Sequence, residues 1–565
     1  MYGDDNTESL KNANSLDEIL IKSYPPGISR HIEIPETGIY QAFSRSAERY
    51  SRNVSIDFMG KEITYSELKK EVEEASTFLN SLGIKHKDRL TIMLPNLPQY
   101  IIFFMAAMKL GITVVQMNPL YTTSEIEYEL RDSGSKSIVL MAASLEKVLP
   151  LRKKLLNTII VVGVDDYLPP VKSFFFRLMD RNSRAHLPAE PGIIRYKHES
   201  VKTQIEDAKI DPYTDAALLQ YTGGTTGVPK AATLTHRNLI ANANQLIEWF
   251  PEDFKHEISY LASIPYFHVY GMMTAMLTPL LQGSRLIIIP DPRNQKMILN
   301  AIHKKKPTAF PGIPTMYHSI INHPDVKKYG IDNIKLCISG AMPLPQELQK
   351  KFEDITGGTL VEGYGLSECS PVTNISPLLP EWKDKRRPGS IGLPLPGTYE
   401  KIVDINDGET ELEPGMEGEL LIKGPQVMMG YWNRPEENKK VLENGWLHTG
   451  DIARMDRDGY FYIVDRKKDL IIAGGYNIYP REIEEVLYQN PKISECAVIG
   501  VPDPHRGETV KAFIVPSDKT LTEDELKEYC KQKLSIYKIP KIIEFRDSLP
   551  LTQVGKIDKK ALKKE

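Results

Sequence analysis

Alternating strand and helix patterns between residues 65 and 141 constrain the fold more than any other feature of the sequence. Apolar side chains recur at three- and four-residue steps over 68–82, the spacing of one helical face, and 100–109 is a second apolar helix. Ser124, with Glu127 three residues later, is predicted to cap a third helix. Buried strands are predicted by short apolar runs at 89–94, 112–116 and 137–141. This order predicts an α/β fold with layered, largely parallel sheets.

The length of the chain predicts more than one domain. Its 565 residues exceed the size at which a single hydrophobic core keeps growing. Five consecutive charged residues at 465–469 are followed by a separate set of strand and helix patterns. We therefore expect a large N-terminal α/β domain over 1–465 and a small α+β domain over 466–565.

Composition excludes several classes of protein. A net charge of −3 offers no basic field for nucleic acid. The four cysteines are scattered without a C-x-x-C pair, which argues against a zinc site or a disulfide framework. The start of the chain lacks the features of a secretory signal, and the apolar stretch 100–117 is interrupted by Lys109, Gly111 and Gln116. A cytoplasmic location is expected.

Aromatic and basic residues interleave within 170–184, where the sequence reads Lys172-Ser-Phe-Phe-Phe-Arg177. One interpretation is an amphipathic segment that makes weak contact with an anionic membrane surface. The other is an insertion whose phenylalanines pack on the parent domain. Both interpretations stay open from the sequence.

The segment 221–230, YTGGTTGVPK, has the composition of a loop that holds a polyphosphate. Glycines allow the backbone to approach an anion, threonine hydroxyls donate hydrogen bonds, and Lys230 adds a positive charge. The common pattern G-x-x-x-x-G-K-[ST] does not align, because Val228 and Pro229 separate Gly227 from Lys230. The sequence thus indicates a phosphate site that differs from that of ordinary nucleotide hydrolases.

Four separated motifs occur in a defined order: YTGGTTGVPK, EGYGLSE (362–368), HTGD (448–451) with DRKKD (465–469), and PLTQVGK (550–556). Together they resemble the adenylate-forming family of acyl-CoA synthetases, luciferases and nonribosomal adenylation domains. The resemblance extends over nearly the whole chain. It implies that a carboxylate attacks the α-phosphorus of Mg-ATP to give an acyl-adenylate, and that coenzyme A then displaces AMP. The implied cofactors and co-substrates are ATP, Mg²⁺ and coenzyme A.

The resemblance assigns roles to residues of these motifs. Glu368 and Thr222 would bind the magnesium ion, as suits a hard cation. Tyr364 would stack on adenine, Ser367 would meet the α-phosphate, and Asp451 with Arg466 would bind the ribose. The remaining nucleotide contacts are expected from Gly223, Gly224, Thr225, Thr226, Gly227, Lys230, Gly340, Ala341, Gly363 and Gly365.

The C-terminal domain is expected to move between the two half-reactions. Lys556 would be the catalytic lysine of adenylation, and Lys468 would be the hinge. After the rotation, Gly474, Gly475 and Tyr476 would line the path of the pantetheine arm. Homodimers are common in this family, although no residue of the sequence demonstrates one.

The resembled acyl pocket predicts an apolar acid. His268 would lie near the carboxylate or serve as a structural group, and a wall would be formed by Gly271, Met272, Met273, Met276 and Gly312. No charged residue in 265–276 could meet a second carboxylate or an amino group. We expect a fatty-acyl-CoA ligase that prefers medium or long chains. An aryl-acid ligase of the 4-coumarate type, a luciferase-like oxygenase and a non-catalytic acyl-nucleotide-binding protein are the alternatives.

Overall fold

Two large sheets dominate the N-terminal part of the protein. The computed structural model describes residues 17–179, 187–188, 190–196, 205–222, 228–251, 258–473, 476–504, 506–551 and 557–564. Within them, one sheet has the strand order Leu393–Pro394, Val372–Ile375, Thr359–Gly365, Leu336–Ser339, Ala309–Gly312, Ser259–Ala262, Arg285–Ile288, Val54–Phe58, Lys61–Thr64. Its five interior pairings are parallel, and antiparallel strands close both edges.

The second large sheet combines sequence-distant strands. Its order among the described residues is Gly430–Tyr431, Lys230–Thr235, Ala216–Thr222, Thr113–Gln116, Arg89–Met93, Ser137–Met141, Thr158–Val162, Ile193–Arg195. The first two pairings are antiparallel and the others are parallel. The predicted α/β class is thereby confirmed.

Helices cover these sheets, and one of them is enclosed on all sides. Every residue of Pro98–Leu110 is buried, because this apolar helix packs against Tyr65–Ser81 and strands of the second sheet. The other α-helices of the N-terminal part are Ile39–Arg49, Thr123–Ser133, Leu145–Leu155, Pro170–Met179, His236–Glu248, Val269–Met272, Thr278–Gln282, Gln295–Lys305, Pro314–Ile321, Gln346–Thr356 and Pro435–Val441. None of the helices among the described residues is both long and apolar enough to cross a bilayer.

The predicted cap of Thr123–Ser133 is wrong by two residues. Thr122, not Ser124, is the N-cap, and its hydroxyl accepts from the backbone N–H of Glu125 while the Glu125 carboxylate accepts from Thr122. Both spacings fit a capping box, and the structure selects the earlier one.

Two smaller sheets complete the molecule. The third sheet is antiparallel and contains Tyr399–Val403, Gly418–Lys423, Trp446–Met455, Leu442–Glu443 and Phe461–Arg466. The fourth contains Tyr476–Ile478, Ile471–Ala473, Gly507–Pro516, Ile493–Asp503 and Ile542–Phe545. The helices Pro480–Tyr488, Glu523–Lys531 and Lys559–Lys564 lie in the C-terminal part, which has its own hydrophobic core. The predicted α+β character of this part is confirmed.

Candidate functional site

The predicted phosphate loop joins two antiparallel strands. Thr222 and Lys230 are direct partners across Ala216–Thr222 and Lys230–Thr235, so their side chains lie at the mouth of one hairpin. The Thr222 hydroxyl donates to the Lys230 carbonyl at 3.3 Å. Tyr128 fixes the second strand, because its phenol donates to the Pro229 carbonyl at 2.8 Å. The loop residues Gly223, Gly224, Thr225, Thr226 and Gly227 lie outside the described residues.

The Lys230 ammonium contacts two residues from a distant part of the chain. It forms an ion pair with Glu437 and lies 5.5 Å from the centre of the Tyr431 ring. The Tyr431 phenol in turn donates to Glu368 Oε1 at 2.7 Å. Burial and the carboxylate of Glu368 raise the pKa of Tyr431, so this phenol remains a donor. Lys230 and Glu368 thus belong to one cluster.

Glu368 lies in a short helical turn, Ser367–Cys369, that follows the strand Thr359–Gly365. The Glu368 carbonyl accepts from the Met428 N–H at 2.7 Å, which fixes the turn. Its half-buried carboxylate is the kind of oxygen ligand that Mg²⁺ takes, because Mg²⁺ uses one or two carboxylates together with phosphate oxygens and water. The residue therefore fits its predicted role.

Glycine is required at one position of this motif. A Cβ on Gly365 would lie 1.8 Å from the Pro371 carbonyl oxygen, so no other side chain fits unless the backbone moves. The close pairing with the next strand sets the direction in which Ser367 and Glu368 leave the sheet.

Asp451 is the centre of a second cluster. It is only 3% exposed, and it accepts from the Tyr364 hydroxyl at 2.6 Å. Arg466, its partner across two antiparallel strands, places Nε 3.2 Å from the other carboxylate oxygen. Burial raises the pKa of Tyr364, and the adjacent Asp451 raises it further, so the hydroxyl stays protonated. The structure thus brings together the three residues predicted to bind the nucleoside.

Gly340 and Ala341, which were predicted to contact the nucleotide, follow the strand Leu336–Ser339. Tyr270 closes the space beside them, because a Cβ on Gly340 would lie 2.8 Å from its ring. The Tyr270 phenol donates to the carbonyls of Gly312 at 3.1 Å and Ile338 at 2.9 Å. This tyrosine joins the predicted nucleotide and acyl walls, a role that the sequence alone did not indicate.

The predicted acyl-pocket residues form a buried segment next to Tyr270. His268 is half-buried and precedes the helix Val269–Met272, which contains Gly271. A single turn of π-helix, Met273–Leu277, follows, and Met272, Met273 and Met276 are fully buried. Turns of this kind are frequent at functional sites. Gly312 ends the neighbouring strand Ala309–Gly312.

The C-terminal residues of the prediction are described only in part. Lys468 is exposed in the turn between Phe461–Arg466 and Ile471–Ala473. Tyr476 begins the strand Tyr476–Ile478, whereas Gly474, Gly475 and Lys556 lie outside the described residues.

Comparison with known proteins defines the family. Residues 43–432 match the AMP-binding enzyme family, and residues 482–556 match the C-terminal domain of AMP-binding enzymes. The chain belongs to the AMP-binding enzyme family, which confirms the resemblance to adenylate-forming enzymes.

Curated relatives cover nearly the full length. The long-chain-fatty-acid–CoA ligase of Bacillus subtilis (strain 168) is 42% identical, covering 96% of this chain and 97% of its own. The ligase of the same name from Escherichia coli O6:H1 is 37% identical, covering 97% and 98%.

Solved structures of a relative share the fold. ATP-bound MatB from Rhodopseudomonas palustris has a TM-score of 0.80 at 27% identity, covering 94% of this chain and 99% of MatB. Apo MatB has a TM-score of 0.72 with the same identity and coverage. The TM-score is thus higher for the ATP-bound structure of MatB than for the apo structure.

Proposed function

We propose that the protein activates a medium- or long-chain fatty acid with ATP and transfers the acyl group to coenzyme A, releasing pyrophosphate and AMP. It acts as an AMP-forming acid–thiol ligase. The observation that carries the proposal is a pair of contact clusters that the segment 364–368 joins. Lys230 pairs with Glu437 beside Tyr431, Tyr431 binds Glu368, and Tyr364, four residues before Glu368, binds Asp451. The names of the full-length relatives support the acid class.

Each of the two clusters binds a different part of the nucleotide. Asp451 and Arg466 hold the ribose, and the Tyr364 ring meets the adenine. Lys230 and the loop after Thr222 hold the phosphates, and Ser367 meets the α-phosphate. Mg²⁺ held by Glu368 and Thr222 supplies charge neutralisation at the phosphates. Positioning and charge stabilisation of this kind are the main demands of phosphoryl chemistry.

The acyl chain lies against the methionine-rich segment. Met272, Met273 and Met276 offer flexible apolar side chains, which adapt to an aliphatic chain. His268 lies at the carboxylate end of this wall.

The mobile C-terminal domain begins just after Arg466, because Arg466 itself still belongs to the third sheet. The third sheet ends with Phe461–Arg466 and the fourth begins at Ile471, so Lys468 lies in the short connection between them. Lys556 from this domain reaches the α-phosphate, and residues 474–476 line the pantetheine path after the rotation.

The test is ATP–pyrophosphate exchange across a panel of aliphatic and aryl acids, followed by addition of coenzyme A and mass detection of the thioester. We expect exchange with medium- or long-chain acids and the matching acyl-CoA. Exchange with cinnamate-type acids alone would indicate the aryl ligase. Adenylate without thioester would favour an oxygenase-like enzyme, and ATP binding without exchange would favour a non-catalytic binding protein.

We further propose a cytoplasmic protein that makes weak membrane contact through residues 170–184, of which 170–179 form a helix and 180–184 lie outside the described residues. Val171 and Phe174 of this helix are 69% and 61% exposed, beside the basic Lys172. Co-sedimentation with anionic vesicles should weaken in the double variant V171S/F174S. The control L120S changes an equally apolar side chain, 53% exposed, elsewhere. Equal pelleting of all three proteins would contradict membrane contact.

We also propose a homodimer, which light scattering would detect.

A further inference from the structure

The ion pair between Lys230 and Glu437 joins the phosphate hairpin to a helix two hundred residues later. The Lys230 side chain is 14% exposed and that of Glu437 is 31% exposed. Glu437 belongs to Pro435–Val441, whereas Lys230 begins the second strand of the hairpin. The lysine predicted to bind phosphate therefore already has an anionic partner.

The position of Glu437 is enforced by its surroundings. Tyr431 pairs with Ala232 of the hairpin, and the Asn438 side chain binds both the N–H and the carbonyl of Tyr431, at 2.6 and 3.0 Å. Arg434 forms an ion pair of 2.5 Å with Asp132. The helix start is thus fixed on both sides, and Glu437 follows Arg434 by less than one helical turn.

The charges of this cluster oppose a second anion. The Tyr431 ring lies beside the Lys230 ammonium, its phenol donates to Glu368, and the Glu437 carboxylate also acts electrostatically on the phenol. Glu437 therefore pairs with the ammonium directly, and both carboxylates act on the phenol that lies beside it. A polyphosphate that reaches Lys230 brings more negative charge to the same place, so it must compete with Glu437.

We propose that Glu437 is a positioning residue that serves as an exchangeable counter-ion of Lys230. It holds the ammonium at the mouth of the hairpin and weakens the grip of Lys230 on polyphosphate, so that product pyrophosphate leaves readily. This inference rests on the proposed function, because it assumes that Lys230 binds phosphate. Nothing in the sequence around Glu437 distinguishes it from its neighbour Glu436.

The test compares Glu437→Gln with Glu436→Gln. Glu436 lies in the same helical turn but pairs with Lys439 at 3.0 Å and is 79% exposed. Affinities for ATP and for pyrophosphate are measured by calorimetry without an acid substrate. We expect Glu437→Gln to bind both about two- to fivefold more tightly, the scale of a partly exposed ion pair. Glu436→Gln should match the wild type, and Glu437→Asp, which retains the charge, should lie between the two.

A double variant separates this role from a structural one. In a Lys230→Gln background, Glu437→Gln should no longer change the affinity for pyrophosphate, because the competed ammonium is gone. Unchanged or weaker binding by Glu437→Gln in the wild-type background would overturn the counter-ion role. If the wild-type protein binds neither ATP nor pyrophosphate, the proposed function fails instead.

Discussion

The Tyr364 hydroxyl and the Arg466 guanidinium approach the same buried carboxylate from two sides. Asp451 accepts from Tyr364 at 2.6 Å and lies 3.2 Å from Arg466 Nε. Hydrogen bonds that involve an ionised group are short and strong, so they hold this carboxylate in one orientation. Two fixed carboxylate oxygens suit the role proposed for Asp451, which is to accept hydrogen bonds from the hydroxyls of a ribose.

The catalytic role proposed for Lys556 gives a prediction at the scale of a single residue. Lys556→Ala should nearly abolish acid-dependent pyrophosphate release, because the charge at the α-phosphate is lost, but largely spare thioester formation from a preformed acyl-adenylate. The two half-reactions are measured separately. Lys564→Ala removes an exposed lysine from the same tail and should leave both rates unchanged. Equal losses in the two half-reactions would contradict the role of Lys556.

At the scale of an element, one buried side chain fixes the segment that leads to His268. The Asn96 amide donates to the carbonyls of Ala262 and Ile264 at 3.2 and 2.9 Å, and its oxygen accepts from the Tyr266 N–H at 2.8 Å. Tyr100 adds a bond to the Tyr266 carbonyl at 2.9 Å. The proposed acyl wall is therefore held by the chain that precedes and begins the enclosed helix Pro98–Leu110.

Asn96→Asp should damage use of the acid more than use of ATP. The carboxylate keeps the shape of the amide but cannot donate, which leaves two buried carbonyls unpaired at a cost of about 1–3 kcal/mol. We expect KM for the fatty acid to rise about tenfold, with KM for ATP nearly unchanged. Asn80→Asp, an exposed change in Tyr65–Ser81, is the control. A parallel rise in both KM values would exclude this role for Asn96.

Periodic elements and compact motifs were predictable from the sequence, whereas contacts between distant segments were not. The helix over 68–82 and the strand at 137–141 were predictable from the spacing of their apolar residues. Tyr364 and Asp451 were predictable because they lie in short motifs that contain glycines, EGYGLSE and HTGD. The N-cap at Thr122 was missed because two capping patterns overlap. Asn96, Tyr431 and Glu437 act through partners 63 to more than 160 residues away, and no local pattern reveals such pairs.

At the scale of the whole molecule, the C-terminal part is anchored beside the site by Arg481. Its backbone N–H donates to Asp465 at 2.9 Å, and its guanidinium donates to the Ile463 carbonyl at 2.8 Å. Burial raises the pKa of Glu362 to about 7, and the facing charge of Arg481 opposes this rise.

Lys468→Pro should separate the two half-reactions in the direction opposite to Lys556→Ala. Proline fixes φ and restricts the preceding residue, so it limits rotation about the connection between the sheets. Acid-dependent pyrophosphate exchange should remain near the wild-type rate, while thioester formation falls at least about tenfold. Lys468→Ala, which leaves the backbone free, is the control. If exchange and thioester formation fall together, Lys468 is not the hinge.

A buried carboxyl predicts that stability decreases as the pH rises. Burial raises the pKa of Glu400 from its ordinary value of 4.5 to about 8. Between these pH values the folded protein holds a proton that the unfolded chain has lost. The stabilising effect of the protonated carboxyl is therefore complete at low pH. The free energy of unfolding falls toward pH 8 by up to about 1.4 kcal/mol per pH unit. The folding stability is thus coupled to protonation of Glu400.

Glu400→Gln should flatten this dependence, since the amide does not titrate. Urea unfolding of the wild type, Glu400→Gln and the exposed control Glu409→Gln at about pH 5 and about pH 8 measures the effect. A loss of stability of the same size in Glu400→Gln and the wild type would show that other groups are responsible.

The short strand Gly430–Tyr431 pairs with the hairpin that contains Lys230. This pairing matters when the chain is cut into two fragments. A cut at the exposed turn 406–409 would leave Lys230, Tyr364 and Glu368 on one fragment, and Tyr431, Asp451 and Arg466 on the other. Neither half would hold a complete nucleotide site. Because each fragment supplies contacts that the other lacks, binding of an adenine nucleotide would stabilise the reassociation of the two fragments.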